Sequence, residues 1–113
     1  MLPKLKIMQL RKDALNPDAR LPMVFNALSD AGRYHMFKLL SQRQQLCVTD
    51  IAHIMNISVP AASQQLKLLE MSGLVRRRRH VQMICYSLQK NSSYVRSMLR
   101  LVHQEDATSQ QVL

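Results

Sequence analysis

The chain has 113 residues, enough for one domain with one modest core. Lys and Arg number 16 against 7 Asp and Glu, a formal net charge of +9, which points to a polyanionic partner, nucleic acid ahead of an anionic membrane surface. Only 4% of residues are aromatic, against a single-strand binder that stacks bases on aromatic platforms, and no run approaches the ~18 apolar residues of a membrane span. Two cysteines, Cys47 and Cys85, are too few for a disulfide framework. MLPKLKIMQLRKDAL lacks the continuous apolar core of a secretory signal, so a cytoplasmic setting is expected.

In chain order, residues 4 to 14 are predicted to form an amphipathic helix with Leu5 and Met8 on its apolar side, broken by Asn16-Pro17-Asp18. A second helix is expected to start near Leu21 or Pro22 and to run through Leu28. AGRYHMFKLLSQ follows, with Met36, Phe37, Leu39 and Leu40 as a broad apolar face. LCVTDIAHIMNISVPAASQQLKLLEMSG reads as two short helices, spanning about 49 to 72. Thr49 caps the first, and Ile51, Ala52, Ile54 and Met55 turn inward. Asn56 tolerates the left-handed turn between them, Ile57 plugs the corner, and Ser58 caps the second helix with Pro60 in its first turn. Ala62, Leu66 and Leu69 form the buried side, which leaves Val59, Ser63, Gln64 and Lys67 exposed. This is the pattern of a helix-turn-helix unit.

Gly73 supplies a left-handed stop, and Leu74 the apolar contact that accompanies it. LVRRRRHVQMICYSL, about 74 to 88, then has two β-rich ends around a polar tip at His80 to Gln82, the signature of a hairpin. Side chains alternate along a strand, so Arg76 and Arg78 point one way and Arg77 and Arg79 the other. Neither face of that part can be core. Asn91 is expected to cap a last helix whose stripe of Tyr94, Val95, Met98, Leu99, Leu101 and Val102 exceeds what one small core covers. Pairing with a second copy through this stripe and through Leu5 and Met8 of the first helix is therefore expected. Residues 104 to 113 are mostly polar, and fraying is expected there. The fold class is mainly α with a small β-hairpin wing in a single domain.

Three segments resemble one family in order and spacing. ALSDAGRYHMFKLLSQ is similar to "L-x-D-P-T-R-L-x-I-L-x-L-L", QLCVTDIA to "E-L-C-V-x-D-L-A", and ISVPAASQQLKLLEMSGLVRRRR to "L-S-x-x-A-V-S-x-H-L-x-x-L-x-x-A-G-L-V-x-x-R-R". These are patterns of the ArsR/SmtB group of bacterial winged helix-turn-helix repressors, and the resemblance covers roughly residues 23 to 102. Ala31 and Gly32 stand where the family has Pro and Thr, Gln65 where it has His, and the wing tip lacks the usual glycine. The resemblance implies a dimer on operator DNA, with each second helix in a major groove and each wing along the backbone.

The residues fit that partner. Ser63, Gln64 and Gln65 carry groups able to pair with base edges, and Gln suits adenine. Lys67 suits a phosphate, and Ser58, Val59 and Pro60 bring a helix N-terminus to the same place. Arg76, Arg77, Arg78, Arg79 and His80 supply salt-sensitive attraction. The bland alternatives are solvated helix surface for the glutamines and a solvated basic segment for the arginines. A different class of function, a protein-interaction module whose basic wing meets an acidic partner, stays open.

The family's metal sites imply thiolates at Cys47 and Thr49, or ligands at Lys90, Ser92, His103 and Asp106. Threonine is no thiolate and a lysine ammonium repels a cation, so no complete metal site and no cofactor are expected. Cys47 and Cys85 read first as small buried hydrophobes. In a winged fold the strand before the motif pairs with the second wing strand, which permits a disulfide and a redox-responsive repressor as an alternative. No nucleophile and base pair, paired carboxylates or phosphate-cradling glycine loop marks an enzyme.

Overall fold

A computed structural model describes residues 1–17 and 20–111, with side chains through Ala107. In chain order it has α1 (Lys4–Ala14), α2 (Arg20–Leu28), α3 (Ala31–Leu40), β1 (Leu46–Cys47), α4 (Val48–Met55), α5 (Val59–Met71), β2 (Val75–His80), β3 (Met83–Leu88) and α6 (Ser93–Gln111). The strands form one antiparallel sheet of order β1-β3-β2. The core is wholly apolar. Phe37 and Leu40 of α3, Ile51 of α4, Leu66 and Leu69 of α5, Leu74 and Val95 are all fully buried in it, and it holds no buried polar or charged residue among the described ones. At about 25 cal/mol for each Å² of apolar surface removed from water, burial of such side chains is the main force holding the helices to the sheet.

Several expected boundaries shift for physical reasons. The break expected at Asn16-Pro17 falls where α1 has ended, and Asp18 lies outside the described residues. β1 runs straight into α4, so Cys47 rather than Thr49 occupies the N-cap, in extended conformation and with no side-chain bond to the helix. Ile54 and Ile57 are exposed, not inward, because the two-turn α4 buries only Ile51 and Ala52. At α6 the Ser92 hydroxyl, not Asn91, accepts from the Val95 N–H at 3.4 Å.

α6 also continues past residue 104, where composition predicted fraying. The Tyr34 hydroxyl donates to Glu105 at 2.6 Å and the Lys38 ammonium to Asp106 at 2.6 Å, so two polar contacts from α3 hold the outer turns. Residues 112 and 113 of the expected tail lie outside the described residues. Both contacts leave a trace in proton affinity: the hydrogen bond to Glu105 raises the Tyr34 phenol above its usual value, and the bond to Asp106 raises the Lys38 ammonium.

The apolar stripe of α6 divides. Val95, Met98 and Val102 face the protomer's own core, a correction to their expected place in a dimer interface. Tyr94 and Leu99 pack beside that core, and Leu101 is 55% exposed. α1 is the opposite case. None of its residues is buried, and Leu5 is 80% and Met8 54% exposed.

Candidate nucleic-acid interface

The turn between α4 and α5 is built by Asn56, whose φ of 56° and ψ of 47° are left-handed. Such a conformation costs asparagine less than other side-chain-bearing residues. The Ile57 N–H returns to the Ala52 carbonyl at 3.0 Å and closes the turn. Ser58 then caps α5, its hydroxyl accepting from the Ala61 N–H at 3.2 Å, with Val59 and Pro60 in the first turn. At the far end Gly73 adopts φ 80°, its N–H reaches the Glu70 carbonyl at 3.0 Å, and the Leu74 N–H reaches the Leu69 carbonyl at 3.1 Å. These are the paired bonds of a Schellman stop. α5 is therefore fixed at both ends and along the buried face of Ala62, Leu66 and Leu69.

The outward side of α5 presents Val59, Pro60, Gln64 and Lys67, with Ser63 half-buried at its edge. Gln65 turns elsewhere. Its side-chain oxygen accepts from Arg33 at 3.1 Å, while the same guanidinium donates to the Ala27 carbonyl at 2.7 Å and to the Asn26 carbonyl at 3.4 Å. The Arg33 N–H in turn donates to the Asp30 carboxylate that caps α3. Two of the departures from the family pattern meet here, since a Cβ on Gly32 would lie 3.6 Å from the Gln65 amide nitrogen. Arg33 thus ties α2, α3 and α5 together. Sequence reasoning missed it because its partner stands 32 positions away with no local spacing to announce it.

In the wing, Val75 pairs with Leu88 at the buried root, and the register runs out through Arg76 with Ser87, Arg77 with Tyr86, Arg78 with Cys85, Arg79 with Ile84 and His80 with Met83. Val75 is the one buried residue of β2, and the four arginines and His80 are exposed. A His80 ring nitrogen lies 3.2 Å from the Gln45 side-chain oxygen. Val81 and Gln82 make a two-residue turn in which Val81 has φ 53° and is 91% exposed, a position that a glycine would occupy without the steric penalty a β-branched residue meets. Burial lifts the Tyr86 phenol above its ordinary value, and the nearby Arg77 partly opposes this. Cys47 and Cys85 are opposed in register and joined as a disulfide. The first reading of them as two unlinked hydrophobes gives way to that bond, although Cys85 is indeed buried.

Residues 30–77 match the model of the bacterial regulatory proteins of the arsR family. The chain is 31% identical over 107 residues to the cadmium resistance transcriptional regulatory protein CadC homolog of Staphylococcus aureus, across 92% of this chain and 87% of that protein. The chain belongs to the ArsR family. It is accordingly a DNA-binding transcriptional regulator with a winged helix-turn-helix fold. Reduced HlyU from Vibrio cholerae superposes with a TM-score of 0.71 at 26% identity, over 82% of this chain and 95% of that one. The homodimeric winged helix-turn-helix DNA-binding domain of Mb0332 from Mycobacterium bovis gives 0.70 at 28% identity, over 86% and 85%.

The residues at the family's metal positions do not fit a resident ion. The Cys47 sulfur is bonded to Cys85, and Asp106 accepts from Lys38. Among the described residues no three His, Cys, Asp or Glu side chains gather as a ligand set. No helix among them is long and apolar enough to cross a membrane.

Proposed function

We propose that the protein represses transcription as a cytoplasmic homodimer on double-stranded operator DNA, with α5 of each protomer in a major groove and each wing along the backbone. The observation that carries this reading is the pairing of a helix fixed at both ends, polar on its outward side, with a neighbouring strand that exposes arginine on both faces. Ser63 and Gln64 read base edges. Gln65, engaged by Arg33, acts by holding α5 against the body. Lys67 and Arg76 to Arg79 with His80 contact phosphates, and Ser58, Val59 and Pro60 bring the helix N-terminus to the backbone.

The second copy docks through α1 and the exposed part of α6. Leu5, Met8 and Leu101 stand in water in the protomer, with Tyr94 and Leu99 only partly covered, and apolar exposure of this kind marks an interaction face. The two recognition helices of the dimer address half-sites about 34–36 Å apart.

Selection of bound fragments from the source genome, followed by footprinting, tests the proposal. A two-fold symmetric footprint is expected, and Gln64→Ala should lose about 1–3 kcal/mol on the operator alone. Leu5→Glu combined with Met8→Glu should give a monomer in sedimentation equilibrium and no footprint. Absence of binding to any duplex, together with an acidic protein partner retained after nuclease treatment, would replace this reading with the protein-interaction one.

A further inference from the structure

An apolar cleft of about 170 Å³ opens between α2 and α5, and none of the residues lining it belongs to the proposed base-reading set, the wing or the dimer face. Met23 and Ala27 come from α2, Leu68 and Met71 from α5, and Arg33 from α3. Met23 and Leu68 are exposed and Met71 is 64% exposed, so this apolar wall faces water. Among the described residues lining the cleft, Arg33 alone carries a charge. Its side chain is only 16% exposed. The guanidinium engages three acceptors among the described residues, the Ala27 carbonyl at 2.7 Å, the Gln65 side-chain oxygen at 3.1 Å and the Asn26 carbonyl at 3.4 Å, fewer than the N–H donors it carries. All three acceptors are neutral. The Asp30 carboxylate stands 4.0 Å away, but it is 42% exposed and already accepts from the Arg33 backbone N–H, so water screens it and the guanidinium keeps its pull on an anion.

We propose that this cleft binds a small organic acid, a carboxylate on a single aromatic ring or a short aliphatic chain, and that its occupancy loosens the hold of α5 on operator DNA. The second half rests on the DNA-binding function above. Size, wall and charge each narrow the ligand. The volume lies below the ~300 Å³ at which sites for drug-sized molecules begin, which leaves room for a small molecule and not for a helix. The wall of Met23, Leu68 and Met71 rewards an apolar body, and methionine side chains adapt to its shape. Arg33 selects an anion at one end of that body, since a guanidinium fork matches the two oxygens of a carboxylate.

The coupling to DNA runs through the Arg33 to Gln65 hydrogen bond. Gln65 offers the guanidinium a neutral amide oxygen, whereas a bound acid offers two oxygens and a charge of its own, the stronger partner. A guest that draws the guanidinium to itself releases Gln65, the neighbour of Gln64, while its body touches Leu68 and Met71 farther along the same helix. α5 then loses its tie to α2 and α3 beside the side chains that read bases. Linkage makes the effect mutual: the acid weakens DNA binding by the same factor by which DNA weakens binding of the acid.

The test titrates the whole chain with benzoate, phenylacetate and hexanoate in turn at constant ionic strength, followed by NMR at the methyl groups of Met23, Leu68 and Met71 and at the Arg33 Nε–H. At least one acid should saturate with a Kd of about 1 mM or tighter and shift these signals together. Acetate, which lacks the body, and benzamide, which lacks the charge, should bind at least about tenfold more weakly. Met71→Glu, at an exposed position, should fold and weaken the acid by about tenfold or more, because its carboxylate repels the guest. Gln65→Ala removes the competitor for Arg33 and should tighten the acid. On a duplex selected from the source genome, saturating acid should lower wild-type affinity by about fivefold or more and leave that of Met71→Glu unchanged. Failure of all three acids to saturate, benzamide binding as well as benzoate, or DNA affinity indifferent to a bound acid overturns the proposal. If an acid binds and no duplex is selected at low salt, the DNA-binding reading fails and the acid site stands alone.

Discussion

α5 and the wing touch each other but are held in place for different physical reasons. α5 is over-determined: a serine cap, a Schellman stop, a buried face of Ala62, Leu66 and Leu69, and the Arg33 to Gln65 bond all fix where Ser63 and Gln64 stand. β2 is anchored by Val75 at its root and by pairing to β3, and its outer part carries only exposed basic side chains toward a turn with Val81 in a left-handed conformation. A rigid element with short polar groups suits discrimination between bases. A row of long cationic side chains, each able to reach several phosphates, suits sequence-independent attraction. The proposed division of labour thus rests on how tightly each element is held.

Breaking the frame of α5 should have the largest effect. Leu66→Ala leaves a cavity in the core and should cost about 2–5 kcal/mol of stability, read by denaturant unfolding. Removing wing charge comes next. Arg77→Ala with Arg78→Ala should leave the fold intact and lower the slope of log affinity against log salt by about 2, equally on any sequence. A smaller effect of opposite sign is expected at the wing tip. Val81→Gly relieves the left-handed β-branched residue and should raise stability by about 1 kcal/mol or less, because glycine's extra freedom in the unfolded chain offsets part of the gain.

The smallest effect is alkaline. Burial raises the Tyr86 phenol above its ordinary 10.0, so the folded state binds that proton more tightly than the unfolded one. Its contribution to stability is complete below pH 10.0 and is lost as pH rises through the elevated folded value. The raised Tyr34 and Lys38 act in the same direction. Melting temperature should therefore fall above pH 10.0, and Tyr86→Phe should make that fall shallower.

Much of this division was legible in the sequence because its signals are local. Asn56, Ser58 and Gly73 punctuate α5 within a few residues of its ends, and four successive arginines in a β-rich run cannot all face a core. What was not legible depends on partners distant in the chain. The Arg33 to Gln65 bond spans 32 positions, and the contacts that hold the outer turns of α6 span 71 and 68. The stripe on α6 announced burial without saying against what, and so Val95, Met98 and Val102 were expected at a dimer interface when their own core takes them. The cysteine pair was legible as proximity alone, and the register turned that into a bond.

The most direct test of the division compares operator with scrambled duplex for three proteins: wild type, Gln64→Ala, and Arg77→Ala with Arg78→Ala. The predicted result is that Gln64→Ala reduces the operator-to-scrambled affinity ratio by about fivefold or more while the arginine variant weakens both duplexes and leaves the ratio unchanged. A ratio that collapses in the arginine variant and survives in Gln64→Ala would contradict the account.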